Sequence, residues 1–229
     1  MKRKNLIGWV GSLLLVGMVG MAQAAPVYYF NDPAADRAAF QAASGALTTE
    51  SFEDYFDAAS AVSFPVGGPE AFTASISTGT LSQGSFARLV TDGTYAMTFS
   101  EDVSSTVTFN FAQPITAFGI AVNDMNFGSM SFADSLGNSY TEVLWGDNAN
   151  GASDGDMTNR QFFGVTNTEA FDSVQLIFVN TSGLTGTLAV DYLQYGECGE
   201  CPTVPVPGAA WLVGSGLVCL FRVRKRTNA

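Results

Sequence analysis

Between Val103 and Tyr195 the chain repeatedly alternates apolar and polar positions. Val103, Ser105, Val107, Phe109 and Phe111 fall on one, mostly apolar side of an extended ribbon, and Ser104, Thr106, Thr108 and Asn110 on the other. A period of two is what a strand with one buried face requires. Ile115–Val122, Tyr140–Trp145, Ser173–Val179 and Thr187–Tyr195 show the same pattern. Phe72–Ser77, Tyr95–Phe99, Met130–Ala133 and Gln161–Val165 are shorter runs of the same kind. Clusters of Gly, Asn, Asp and Ser separate them and mark turns. One helix is expected after Asn31-Asp32-Pro33, with Asp32 as its cap and Pro33 in its first turn. Ala35, Ala39, Phe40 and Ala43 supply its apolar side, and Gly45 closes it. Many short strands and 18 Phe residues predict an all-β fold: a β-sandwich of the jelly-roll kind over residues 25–197, with one short N-terminal helix. No internal repeat is evident.

Two stretches are apolar without alternating, and they lie at the ends. Lys2-Arg3-Lys4 precedes an uncharged run from Leu6 to Met21, and Ala22-Gln23-Ala24 follows it. A basic start, an apolar centre and a small-x-small close make residues 1–24 a signal peptide, cut by signal peptidase after Ala24. At the other end Cys198 to Pro207 forms a Cys- and Pro-containing linker, and Gly208 to Phe221 carries no charge. That apolar run is 14 residues long, or 18 from Val204. At about 1.5 Å per helical residue, the 18-residue count only just spans a bilayer core of about 30 Å. Arg222, Arg224, Lys225 and Arg226 follow it, and the positive-inside rule keeps them cytoplasmic. The body then lies outside the inner membrane, held there by a transmembrane helix over 208–221.

The motif Val204-Pro205-Val206-Pro207, the Trp211-Leu212 pair, Gly214-Ser215-Gly216-Leu217 and the terminal Arg/Lys cluster together resemble the PEP-CTERM sorting signal, over residues 204–229. Val206 stands where the name-giving motif has glutamate, as in the Val-Pro-x-Pro subtype. The resemblance implies a Gram-negative bacterium that makes exopolysaccharide. It implies transient residence in the inner membrane, cleavage near the proline motif by an exosortase, and delivery to the cell surface or extracellular matrix. This chain is then the substrate of a protease and not itself one. Phe162-Phe163-Gly164-Val165, Phe171-Asp172-Ser173-Val174 and Val190-Asp191-Tyr192-Leu193 resemble the last strands of lectin-like domains common in such proteins. No binding residue is carried over from that likeness.

Charge narrows the partners. Only Arg37, Arg88 and Arg160 lie between the two basic ends, and all 21 acids lie there too. The body therefore carries a formal −18, with no lysine and no histidine. Nucleic acid is excluded as a partner, because its binding rests on Lys and Arg neutralising phosphates. A surface this acidic serves solubility or holds divalent cations. The densest set of oxygen ligands runs from Asp147 to Asp156, where Asp147, Asn150, Asp154 and Asp156 could wrap a calcium ion. The same residues also make an ordinary turn, and they lack the regular calcium-loop spacing and a downstream bidentate glutamate. Gly151-Ala152-Ser153-Asp154-Gly155 matches the nucleophile-elbow pattern, but a polar loop in a chain without histidine offers no base. Cys198-Gly199-Glu200-Cys201 lacks further zinc ligands. In an oxidising compartment Cys198 and Cys201 are candidates for a local disulfide, or for a bond to a neighbouring molecule.

These observations lead to a non-catalytic surface or matrix protein, with an exopolysaccharide or other glycan as its candidate ligand. A calcium-dependent adhesin is the alternative. A glycan-cleaving enzyme built on paired carboxylates is a third reading that no spacing supports.

Overall fold

A computed structural model describes residues 25–30, 33–65, 67–85, 90–100, 104–123, 129–140, 161–180 and 186–199. The signal segment, the proline motif and the apolar tail all lie outside the described residues. Among the described residues no helix is long and apolar enough to cross a membrane.

Among the described residues the body has eleven strands and one helix. They are β1 (Val27–Phe30), α1 (Pro33–Ala43), β2 (Leu47–Glu50), β3 (Ala61–Phe64), β4 (Phe72–Ile76) and β5 (Ser82–Gly84). Then follow β6 (Ala96–Ser100), β7 (Ser105–Asn123), β8 (Ser129–Asp134), β9 (Ser139–Tyr140), β10 (Gln161–Val179) and β11 (Thr187–Gly196). Every pairing among them is antiparallel.

The fold is an all-β sandwich whose two layers are one sheet. The strands β7 and β10 are each 19 residues long and run through both layers. In one layer, residues 105–110 of β7 pair with 173–178 of β10, flanked by β4 and β3 on one side and β8 and β9 on the other. In the other, residues 117–122 of β7 pair with 161–166 of β10. There β1 borders β10, and β11 borders β7 with β6 and β2 beyond it. Both strands turn the corner where alternation fails. Ala112, Gln113 and Pro114 are consecutively exposed in β7, and Thr168, Glu169 and Ala170 in β10. Pro114 has no N–H for the ladder, and the β10 register shifts between Thr166 and Ser173. Local pattern alone divides each of these strands in two, at the residues where the sheet bends.

Phenylalanine fills the space between the layers. Phe132 of β8 and Phe163 of β10 stand 3.9 Å apart by ring centroid, and Phe111 and Phe118 on the two arms of β7 stand 6.0 Å apart. Phe72 of β4 meets Tyr195 of β11 at 5.6 Å. The fully buried rings among them, such as Phe72, Phe118 and Phe132, each contribute about 1.5–3 kcal/mol by their removal from water.

The outer face of the second layer is covered by α1. Phe40 of the helix packs with Phe162 and Ala117, apart from the main core. It can do so because Gly119 and Gly164 are cross-strand partners beneath it. A Cβ at Gly119 would stand 2.7 Å from Phe162 and 2.8 Å from Phe40. Gly45 has a different role from the helix-closing one expected of it. The helix ends at Ala43, and Gly45 donates its N–H to the Glu197 carbonyl at 2.8 Å. A Cβ there would meet that carbonyl oxygen at 2.9 Å, so glycine is required by close backbone approach. The following residue is held as well: the Cys198 N–H donates to the Thr116 hydroxyl at 2.6 Å.

Candidate functional site

The sequence-predicted ligand set, Asp147, Asn150, Asp154 and Asp156, lies outside the described residues. So do Ala22, Ala24, Cys201 and the sorting residues from Val204 to Arg226. Cys198 is disulfide-bonded. Its partner falls outside the described residues, as do both other cysteines, Cys201 and Cys219. Among the described residues no three Asp, Glu or Cys side chains converge to hold a metal ion.

What the fold does assemble is a surface made from two segments distant in sequence, 50–57 and 91–95. Its foundation is Asp191 in β11, which is fully buried. One carboxylate oxygen accepts the Thr91 N–H at 2.6 Å and the Asp92 N–H at 2.8 Å; the other accepts the Tyr192 N–H at 2.7 Å. Burial raises Asp191 from the ordinary aspartate value of 3.8 to about 6, those three N–H bonds oppose the rise, and the Asp92 charge adds to it. A bulge makes this geometry possible. The β11 register slips between Asp191 and Gln194, and Tyr192 takes a left-handed φ of 50°. Arg37 of α1, the one cation among the described residues, sits 5.1 Å from the centroid of the Tyr192 ring. The Thr91 hydroxyl bonds to the buried side chain of Asn123.

Glu53 holds the other end of the same loop. Its Oε1 accepts the Thr94 N–H at 2.8 Å and the Tyr95 N–H at 2.9 Å. Gly93 turns between the two carboxylates with φ 72°, and a Cβ there would collide with Glu53 Oε1. The segment carrying Glu53 is pinned in turn. The Phe52 ring is buried against Phe64, at 5.1 Å. The Phe52 N–H donates to Glu50, and the Gln83 amide donates to the Phe52 carbonyl at 2.9 Å. Phe52 has a φ of 56°. Left-handed backbone on a bulky residue costs free energy and persists only where the surroundings fix it. The Ser51 hydroxyl donates to Asp92 at 3.0 Å, so the two segments are also joined directly.

Two aromatic rings are left at the surface of this assembly. Tyr55 is 72% exposed and Tyr95 37%. Tyr55 donates its hydroxyl to Asp57 at 2.8 Å, and that bond raises the phenol above its usual value. Glu53, Asp54, Asp57 and Asp92 are exposed around them. Glu50 lies half-buried behind, raised first by its burial and further by the charge of Asp54. An exposed aromatic ring offers a flat apolar face and a polar tip. Carboxylates beside it accept hydrogen bonds from hydroxyl or ammonium donors.

Sequence reading passed over this surface. Its signals were the acidic and aromatic run Glu50-Ser51-Phe52-Glu53-Asp54-Tyr55 and the turn dipeptide Asp92-Gly93. Neither carries chemistry until the fold joins them.

No protein-family model and no curated protein matches the chain. Among solved structures, it is similar to the K2 cleaved adhesin domain of Lys-gingipain, with 13% identity and a TM-score of 0.39, over 66% of this chain and 97% of that one. It is also similar to the family 11 carbohydrate-binding module of the cellulosomal cellulase Lic26A-Cel5E of Clostridium thermocellum. That match has 11% identity and a TM-score of 0.29, over 66% of this chain and 96% of the module. Likeness at this level leaves the function to be read from the chain itself.

Proposed function

We propose that this chain is an exported, non-catalytic surface or matrix protein whose β-sandwich binds carbohydrate through the surface around Tyr55 and Tyr95. The observation that carries the binding reading is that pair of exposed tyrosines, placed on two segments that Glu53 ties together. Tyrosine rings lie flat against the apolar faces of sugar rings at small entropic cost, and their hydroxyls and neighbouring carboxylates bond the sugar hydroxyls. Fixing the loops in advance lowers the cost of ordering them on binding. A non-catalytic role fits the buried carboxylate of Asp191, since both its oxygens accept backbone N–H groups.

Export and sorting rest on the ends of the chain. Signal peptidase removes residues 1–24. The helix over 208–221 holds the body at the inner membrane, and exosortase then cuts near Val204-Pro205-Val206-Pro207. Two measurements test the proposal. Intact mass of protein from the native host is expected to lack both ends, and a secreted species still carrying Trp211 and Arg226 refutes the sorting reading. Glycan binding by the full chain in mild detergent is expected to weaken about tenfold or more in Tyr55→Ala/Tyr95→Ala, the loss of about 1.4 kcal/mol of contact. Binding that ignores both tyrosines places the sugar elsewhere.

A further inference from the structure

We infer that Thr91 and Asn123 are the two halves of a self-formed ester cross-link, which ties the loop carrying Tyr95 covalently to β7. Such a bond is independent of what the tyrosine surface binds, and it needs no ligand.

The register of the sheet brings the pair together. Asn123 ends β7 opposite Ala189 of β11, and Asp191, two residues further on, rises from the same face. Residues 90–92 lie across that face. Val90 packs with Ala96 and Ala189, and Asp191 accepts the Thr91 and Asp92 N–H groups. Thr91 is thereby fixed with its hydroxyl against the Asn123 amide, across 32 residues of sequence.

The hydroxyl faces both ends of that amide. It donates to Oδ1 at 3.1 Å and accepts from Nδ2 at 2.9 Å. A hydroxyl bonded to one end of an amide alone stays farther from its carbon. Amide C=O and C–N bonds are about 1.23 and 1.33 Å long, so these two contacts put the hydroxyl oxygen within about 3.4 Å of the Asn123 Cγ. Reacting atoms held about 3–3.5 Å apart are within attack range, and fixing them there in advance removes much of the entropic barrier. Asn123 is fully buried, and Val90, Ala96 and Ala189 beside it are buried too. Water is kept from the ester once it forms.

The step balances within the protein. Thr91 Oγ1 bonds to Asn123 Cγ, the Cγ–Nδ2 bond breaks, and the nitrogen leaves as ammonia with the hydroxyl proton. Nothing is oxidised or reduced, and no further reactant enters. Asp191 is a positioning residue, acting through the Thr91 backbone.

The test is mass spectrometry of the full chain, purified in mild detergent and held until its mass is constant. Intact mass is expected to fall short of the sequence, less any end removed in processing, by one ammonia. Chymotrypsin can cut after Tyr95, Phe99, Phe109 and Phe118 between the two residues. It is expected to leave one branched peptide that holds both Thr91 and Asn123, and hydroxylamine to part it. Thr91→Ser keeps the hydroxyl and is expected to keep the ammonia loss, while Thr91→Val and Asn123→Ala show the full mass. Should these variants fail to fold, the branched peptide from the native sequence decides alone. Native protein at full mass overturns the cross-link. Ammonia loss that persists in Thr91→Val comes from imide closure elsewhere, as at Asn150-Gly151, and overturns it as well. Aspartate found at position 123 without a branched peptide means that water, not Thr91, took the amide, and this too overturns it.

Discussion

Asp191 and Glu53 hold one loop from opposite ends: Asp191 accepts the N–H groups of Thr91 and Asp92, and Glu53 those of Thr94 and Tyr95. Gly93 turns between them. One carboxylate is buried and the other exposed, so the two grips differ in strength and in what disturbs them.

Hydrogen exchange resolves the grips separately. In Glu53→Ala the Thr94 and Tyr95 amides are expected to exchange about tenfold to a hundredfold faster, from the loss of charge-assisted bonds worth about 1.5–3 kcal/mol. Thr91 and Asp92 keep their protection. In Asp191→Asn the order reverses, because the buried carboxylate is gone and an amide N–H₂ confronts a backbone N–H. Uniform acceleration of all four amides in either variant shows that the loop opens as one unit.

Asp191 also gives stability a pH dependence of known sign. With its value raised to about 6 in the folded chain, the folded state keeps a proton between pH 3.8 and about 6 that the unfolded state has released. The contribution of Asp191 to stability is therefore full below about 3.8 and is lost as pH rises through about 6. Measured by denaturant titration, wild-type stability relative to Asp191→Asn is expected to fall by up to about 3 kcal/mol from about pH 4 to about pH 7. A relative stability that rises over this range means that the three N–H bonds outweigh burial.

Helix docking depends on two missing side chains. Gly119→Ala and Gly164→Ala each place a Cβ within 2.8 Å of an aromatic carbon, and each is expected to cost about 1–3 kcal/mol by overpacking. Phe40→Ala removes a fully buried ring at a cost of about 3–5 kcal/mol. Phe40 is one of the two rings crowding Gly119, so the Gly119→Ala penalty is expected to shrink on the Phe40→Ala background. Strict additivity in denaturant melts places the helix elsewhere.

Cys198 is expected to resist alkylation in non-reduced exported protein, and peptide mapping to find it joined to Cys201. A map joining Cys198 to a second molecule supports a covalent dimer instead. Free Cys198 in exported material contradicts the disulfide outright.

Much of the fold could be read from the chain. The helix starting at Pro33, the strands at Phe72, Met130 and Thr187, and the sandwich class all follow from period and punctuation. Four strands did not: β1, β2, β3 and β5 are three or four residues long, too short for a period to register. Val103–Phe111 and Ile115–Val122 read as two strands because Pro114 breaks the alternation, yet the backbone continues through the bend as β7. The same holds for Gln161–Val165 and Ser173–Val179 within β10.

The sequence by itself determined the acidic, lysine-free body, the apolar alternation that builds a sandwich, and the export and sorting signals expected of its two ends. These are properties of composition and local order, which a linear chain states directly. The tertiary structure alone decided that Asp191 meets Thr91 across 100 residues, that Glu53 meets Tyr95 across 42, and that Tyr55 and Tyr95 end on neighbouring segments. It also decided that Gly119 and Gly164 oppose each other under Phe40. Such contacts depend on register and on where long strands bend, and register is set by packing the whole buried face at once. No local window of the chain contains that information.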